Sequence, residues 1–126
     1  MFDPIRTLLV DDNPYFLEAA QEYLQMQVFI EVIGTATHAE DALVKSIALN
    51  PQVILLDINL GEWSGLDLIP FFCSHLPNAK IIVLTIMESE SYRAAAIQAG
   101  AYAFVSKSKL QTELIPLMQI LISEAK

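Results

Sequence analysis

Five short, mostly apolar runs alternate along the chain with longer segments in which apolar residues recur at helical spacing. The short runs span residues 5–10, 30–34, 53–56, 81–84 and 102–105. Runs of this length with apolar residues on both faces are typical of strands buried in a parallel sheet. Since right-handed crossovers connect parallel strands, five such β–α units predict helices on both faces of the sheet. We therefore expect an α/β fold with a five-stranded parallel sheet in the order 2-1-3-4-5, a common doubly wound arrangement.

The size and composition favour one folded domain over residues 1–126. The chain is 54% apolar, which excludes a disordered chain, because disorder goes with low hydrophobicity. Its net charge of −8 argues against direct contact with nucleic acid or an anionic membrane. No apolar run approaches the roughly 18 residues that cross a bilayer, and the N-terminus lacks the basic region of a secretory signal. With a single cysteine, Cys73, the chain is expected in the cytoplasm.

Capping residues and prolines indicate where the helices begin. Asn13 followed by Pro14 predicts the start of the first helix, whose apolar face includes Phe16. Two pairs have the spacing of a capping box, and each predicts a helix start: Thr37 with Glu40, and Ser108 with Gln111. Pro70 and Pro116 fall inside predicted helices, where each is expected to bend the helix or delay its start.

Acidic residues follow two of the predicted strands at the edge where doubly wound sheets bind ligands. Asp11 and Asp12 follow the first strand, and Asp57 follows the third. These strands are neighbours in the expected order, so the three carboxylates should converge, and their repulsion is costly unless a cation lies among them. A few hard oxygen ligands with room for water suit Mg²⁺ better than Ca²⁺ or a transition metal. We therefore expect these aspartates to bind Mg²⁺.

A hydroxyl and a cation approach this acidic cluster from two further strands. The fourth strand ends in Thr85, and the fifth runs into Lys107. Together with a metal ion, these two groups would hold the oxygens of an anion beside a carboxylate nucleophile. The set predicts an aspartate that accepts a phosphoryl group.

Several segments in the same order resemble the receiver domain of two-component response regulators. They are LLVDDN at residues 8–13, VILLDINL at residues 53–60 continuing to Gly65, VLT at residues 83–85, AGA at residues 99–101, and Lys107. Each segment is a weak signal alone, but the complete set at this spacing is specific and covers essentially the whole chain. The Lys107-Ser108 step is similar to that in receivers of LuxR/NarL-type transcriptional regulators, which carry a DNA-binding output domain.

The resemblance implies a role for each residue that matches the family motif. Asp57 would accept the phosphoryl group from a sensor histidine kinase. Mg²⁺ would be bound by Asp11, Asp12, Asp57 and the backbone carbonyl of Asn59. Lys107 would pair first with the carboxylate and then with the phosphoryl group.

Two further residues are implied in switching. Thr85 would hydrogen-bond a phosphoryl oxygen and move inward, and Phe104 would change its rotamer in step with it. The surface of the fourth helix, the fifth strand and the fifth helix would then report phosphorylation to an output or a partner. The expected function is thus a signalling switch rather than an enzyme. It would control transcription through a DNA-binding domain beyond residue 126.

Two further features add expectations. Ile86 stands after Thr85 where the family usually has a small residue, so we expect it to crowd the phosphoryl site and slow access by water. The fifth helix carries more apolar residues than one buried stripe needs: Leu110, Leu114, Ile115, Leu117, Met118, Ile120, Leu121 and Ile122. A helix that is apolar on more than one side is buried on more than one side. This predicts a homodimer or partner surface, or a face covered by the rest of a longer protein.

Three other functions share parts of the pattern, and two of them need a motif that the chain lacks. A flavodoxin-like domain that binds FMN needs a Ser/Thr/Gly-rich phosphate loop after the first strand, where this chain has Asp11 and Asp12. A hydrolase of the aspartyl-phosphate type places its nucleophile after that strand in an Asp-x-Asp pattern, which is absent here. A receiver-like interaction module that acts without phosphorylation remains the alternative.

Overall fold

A computed structural model describes residues 3–124 of the chain. The four residues at the two ends of the predicted domain, 1, 2, 125 and 126, lie outside the described residues. Five parallel strands form the central sheet in the order β2-β1-β3-β4-β5, which confirms the predicted order. The strands are β1 (Ile5–Val10), β2 (Ile30–Ala36), β3 (Val53–Leu56), β4 (Lys80–Thr85) and β5 (Ala103–Ser106).

Within residues 3–124, five α-helices cover the sheet on both faces, as the β–α alternation predicts. They are α1 (Pro14–Gln25), α2 (Ala39–Leu49), α3 (Gly65–His75), α4 (Glu90–Ala99) and α5 (Ile115–Glu124). One core cluster contains the buried apolar side chains of α1 and α5, and the other contains those of α2, α3 and α4. A small antiparallel hairpin, Asn59–Leu60 with Trp63–Ser64, lies between β3 and α3.

The central strand β3 shows why a continuous apolar run folds as a buried strand. All four of its residues are buried. Ile54 and Leu56 belong to the core under α2, α3 and α4, whereas Val53 and Leu55 belong to the core under α1 and α5. Since successive side chains of a strand point to opposite faces, both faces must be apolar when both are covered.

The predicted start of α1 is confirmed, and that of α2 is wrong. The Asn13 side chain accepts hydrogen bonds from the N–H groups of Tyr15 and Phe16, and Pro14 is the first helical residue. At α2, the N-cap is His38 rather than Thr37, because the backbone stays extended through residue 38 (φ −148°, ψ 166°). With His38 as the N-cap, Glu40 is the second helical residue. A capping box needs the acidic side chain at the third helical residue, so Thr37 and Glu40 do not form one.

The segment after β5 also differs from its prediction. Ser106, not Ser108, provides the cap, since its hydroxyl accepts the Ser108 N–H at 3.2 Å. A 3₁₀ turn (Lys107–Lys109) and a π-helical turn (Leu110–Leu114) then precede α5. Pro116 has no N–H and its ring would clash with a carbonyl four residues back, and α5 accordingly begins late, at Ile115. Pro70, in contrast, lies inside α3 without delaying its start.

Most of the apolar side chains predicted for the fifth helix are buried or partly buried against the core. Leu114, Ile115, Met118 and Leu121 are buried, whereas Ile120 is 52% exposed. Leu110, Leu117 and Ile122 are partly buried against the core of α1 and α5. Across residues 3–124, none of the helices combines the length and the apolar character that a bilayer crossing requires.

Candidate functional site

The acidic site lies where β1 and β3 end side by side. Val10 and Leu56 are the last paired residues of the two strands. The pairing continues one residue further, because the Asp57 N–H donates to the Val10 carbonyl at 2.9 Å. Asp11 and Asp57 are therefore held at neighbouring strand ends. Carboxylate oxygens of Asp11, Asp12 and Asp57 lie within 4.8 Å of one another.

Two of these carboxylates are buried, and one faces solvent. Asp11 is 2% exposed and Asp57 is 5% exposed, whereas Asp12 is exposed. Burial raises the pKa of Asp11, and the nearby charge of Asp57 adds to this effect. The Lys107 ammonium and the Asn13 N–H act in the opposite direction on this pKa. The raised pKa shows that the ionised Asp11 carboxylate is destabilised in the folded protein.

The Lys107 ammonium lies beside two of the three carboxylates. Its Nζ lies 2.5 Å from Asp11 Oδ2 and donates a hydrogen bond to Asp57 Oδ2 at 3.3 Å. The 3₁₀ turn after β5 carries it to this position. When all groups are ionised, one ammonium faces three carboxylates, so the site keeps an excess of negative charge that favours a further cation.

The residues present fit a magnesium ion. Asp11 Oδ2 is buried and, within residues 3–124, lacks a hydrogen-bond partner, since Lys107 approaches it without hydrogen-bond geometry. Buried carboxylates are costly unless cations neutralise them, and the Lys107 ammonium supplies one positive charge for the three carboxylates. The donors are all hard oxygens, which is the ligand type that Mg²⁺ prefers.

The loop after Asp57 depends on a close backbone contact at Gly65. The Asn59 N–H lies 3.4 Å from Asp57 Oδ1, and the Gly65 N–H donates to the Ile58 carbonyl at 2.5 Å. A Cβ at Gly65 would lie 2.0 Å from the Asp57 carbonyl oxygen. In the sequence, Gly65 stands only at the end of a motif. The signal that could have indicated the contact is a glycine at the start of a helix, because glycine is favoured where two backbone segments approach closely.

The two predicted switch residues lie one and two strands further along the sheet. Thr85 is fully buried, and its hydroxyl accepts the Met87 N–H at 3.2 Å, within its own loop. Phe104 is buried on β5; the Arg93 guanidinium of α4 lies 5.0 Å from its ring centre and donates to its carbonyl at 3.2 Å. The side chain of Ile86 is 76% exposed at the end of β4.

One neighbour of the site was missed by sequence analysis. The ring centre of Phe16 lies 4.0 Å from Lys107 Nζ. The sequence indicates only that Phe16 belongs to the apolar face of the first helix, because nothing local relates it to a lysine in the turn after a distant strand.

The family of the chain follows from comparison with known proteins. Residues 7–119 match the family model of the response regulator receiver domain. The chain belongs to this family. The transcriptional regulatory protein MctR of Rhizobium johnstonii is 33% identical over 115 residues, which cover 91% of this chain and 54% of that protein. The uncharacterized transcriptional regulatory protein YxjL of Bacillus subtilis is 34% identical over 113 residues, 90% of this chain and 52% of that protein.

A solved structure agrees with the receiver fold. A LuxR-family two-component response regulator from Aurantimonas sp. SI85-9A1 superimposes with a TM-score of 0.89 at 22% identity, covering 97% of this chain and 87% of that one. The receiver chain spans about half the length of the two curated relatives that it matches. It is thus a response regulator receiver domain related to those of transcriptional regulatory proteins.

Proposed function

We propose that the receiver accepts a phosphoryl group on Asp57 from a sensor histidine kinase. The observation that carries this proposal is the position of Asp57: its carboxylate is buried among two further carboxylates and hydrogen-bonded to Lys107. A carboxylate in such a place is a nucleophile whose product, an acyl phosphate, would have a cation beside it.

In the proposed step, a carboxylate oxygen of Asp57 attacks phosphorus, and the phosphorus–nitrogen bond of a phosphohistidine breaks. The imidazole nitrogen keeps the electron pair and takes up a proton. Asp11, Asp12, Asp57 and the Asn59 carbonyl would hold Mg²⁺, which when bound supplies positive charge against the phosphoryl oxygens. Lys107 neutralises charge on the same oxygens from the β5 side, starting from its hydrogen bond with Asp57.

The response is proposed to run through Thr85 and Phe104 to the surface of α4, β5 and α5. The Thr85 hydroxyl would exchange its hydrogen bond with the Met87 N–H for one with a phosphoryl oxygen. Phe104 would follow and move the Arg93 contact that joins β5 to α4. Ile97 on α4 and Ile120 on α5 are exposed, and the surface of α4, β5 and α5 is the proposed homodimer surface.

The relatives indicate in which kind of protein this domain acts. MctR and YxjL are both named transcriptional regulatory proteins, and the chain spans about half of their length. We infer a cytoplasmic regulator in which this domain controls transcription through an attached DNA-binding domain. The receiver itself, with a net charge of −8, would not contact nucleic acid.

The test is phosphorylation by a small phosphodonor with Mg²⁺, followed by intact mass. We expect one phosphoryl group on the parent protein and none on Asp57→Asn. Asp67→Asn is the matched control, because Asp67 is an exposed aspartate in the first turn of α3, and it should be phosphorylated like the parent. A parent protein that takes up no phosphoryl group under these conditions contradicts the proposal.

Beryllofluoride with Mg²⁺ separates the switch from a receiver that acts as a passive interaction module. The switch predicts chemical-shift changes at Thr85 and Phe104, because beryllofluoride imitates the phosphoryl group on the aspartate. A protein without such changes would instead be an interaction module that acts without phosphorylation.

A further inference from the structure

Lys107 Nζ is enclosed by two carboxylates and one aromatic ring. It lies 2.5 Å from Asp11 Oδ2, 3.3 Å from Asp57 Oδ2 and 4.0 Å from the centre of the Phe16 ring. The lysine side chain is only 13% exposed. Of these three contacts of the ammonium, two are with carboxylates, and the contact with Phe16 is with an uncharged ring.

The position of Phe16 is tied to the acidic site through a short hydrogen-bonded path. Asp11 Oδ1 accepts the Asn13 N–H at 2.9 Å, and Asn13 Oδ1 accepts the Phe16 N–H at 3.3 Å. Phe16 itself lies in the first turn of α1, directly after the loop that carries Asp11 and Asp12. The ring is therefore placed by the same backbone that places the carboxylates.

The ring face and the carboxylates act differently on the ammonium. The face of an aromatic ring attracts a cation, and the attraction is stronger when water is excluded, as it largely is here. A third carboxylate at this place would draw Nζ away from Asp57, and an open space would let Nζ turn towards water. A ring restrains Nζ without competing for its hydrogen bonds.

We propose that Phe16 is a positioning residue for phosphoryl transfer, holding Lys107 Nζ beside the carboxylates of Asp11 and Asp57 through the face of its ring. This inference rests on the proposed function of Asp57. It predicts that reducing the negative charge on the face of the Phe16 ring, without changing the shape of the ring, slows phosphorylation of Asp57.

The test replaces Phe16 with phenylalanines that carry one, two or three ring fluorines, which reduce the negative charge of the face stepwise. We measure the rate of Asp57 phosphorylation by a small phosphodonor at saturating Mg²⁺. The rate should fall with each fluorine, to about fivefold below the parent with three, and about tenfold below it in Phe16→Leu, within the range of a desolvated cation–π contact. A flat series together with a slow Phe16→Leu would show that the ring only fills space, and would overturn the proposal.

Tyr15 provides the matched control. It is the preceding residue of α1 and is 82% exposed, so Tyr15→Leu and fluorinated tyrosines at this position should leave the rate unchanged. A fall in rate as large as that at Phe16 would attribute the effect to the helix rather than to the contact with Lys107, and would overturn the proposal.

A second measurement does not depend on phosphorylation. The ring current of Phe16 should shift the side-chain methylene protons of Lys107 upfield in the NMR spectrum, and Phe16→Leu should remove the shift while Tyr15→Leu keeps it. Absence of the shift in the parent overturns the contact. If the parent shows the shift but is never phosphorylated, the function proposed for Asp57 fails, and with it the role of Phe16 in transfer, while the contact itself stands.

Discussion

Replacing Gly65 with alanine should slow phosphorylation of Asp57 without touching any charged group of the site. The added Cβ would lie 2.0 Å from the Asp57 carbonyl oxygen, 2.9 Å from its carbonyl carbon and 3.0 Å from Ile58 Cα. These are backbone atoms, which cannot rotate away. Real Cβ contacts essentially never fall below 3.0 Å, so the start of α3 and the Asp57 backbone must separate by about 1 Å.

The size of the effect follows from this displacement. A misplacement of about 1 Å in a reacting group can reduce a rate by roughly 100-fold, and we expect a loss of this order in the phosphorylation rate of Gly65→Ala. The same overpacking should lower the free energy of unfolding by about 1–3 kcal/mol. The assays are phosphorylation kinetics with a small phosphodonor at saturating Mg²⁺ and urea denaturation with a linear extrapolation.

Gly61 in the same loop is the matched control. Its φ is +67° and a Cβ added there would have no neighbouring atom within 4 Å, so Gly61→Ala should cost about 1 kcal/mol through the left-handed backbone alone. The phosphorylation rate should stay at the parent value. Equal rates for Gly65→Ala and the parent would refute the reasoning, and so would an equally large loss in Gly61→Ala.

Three further predictions concern the metal site, the residue after Thr85 and the surface of α5. The raised pKa of Asp11 means that the folded protein binds a proton at this carboxylate more tightly than the unfolded chain does. Without metal, the free energy of unfolding should therefore fall as the pH rises through the raised pKa. Asp11→Asn should therefore be more stable than the parent in chelator at neutral pH, by urea denaturation. Mg²⁺ at ten times its Kd should add about 1.4 kcal/mol to the parent and nothing to Asp11→Asn; the reverse order contradicts the charge argument. Ile86→Ala should shorten the lifetime of the acyl phosphate by admitting water, and equal lifetimes would rule out shielding by Ile86. Ile120→Glu should abolish association of the beryllofluoride-loaded protein in sedimentation, and a parent that stays monomeric with and without beryllofluoride counts against the dimer.

The strands and the acidic cluster could be predicted from the sequence for the same reason. A strand buried on both faces needs a continuous apolar run, as in Val53–Leu56, and such a run is visible without any partner. Once the order of the strands is predicted, Asp11 and Asp57 must lie close together, because they directly follow β1 and β3, which are neighbours in the sheet. Prediction of the acidic cluster thus needed only the ends of two strands.

Helix starts were less predictable where two local signals lie close together. Thr37 and His38 are adjacent, and the choice between them depends on how far the chain stays extended after β2. Ser106 and Ser108 differ by two residues, and the cap at Ser106 is followed by 3₁₀ and π turns rather than by an immediate α-helix. Capping patterns describe local preference, whereas these two positions are decided by the geometry of the preceding strand.

Two contacts at the site could be identified only in the folded chain. Local patterns along the sequence indicate apolar runs, helix faces and the residues that end each strand, because these depend on neighbours within a few positions. The contact of Phe16 with Lys107 joins α1 to the turn after β5, and the approach of Gly65 to the Asp57 carbonyl joins the start of α3 to the end of β3. Both distances are set when the helices pack over the sheet.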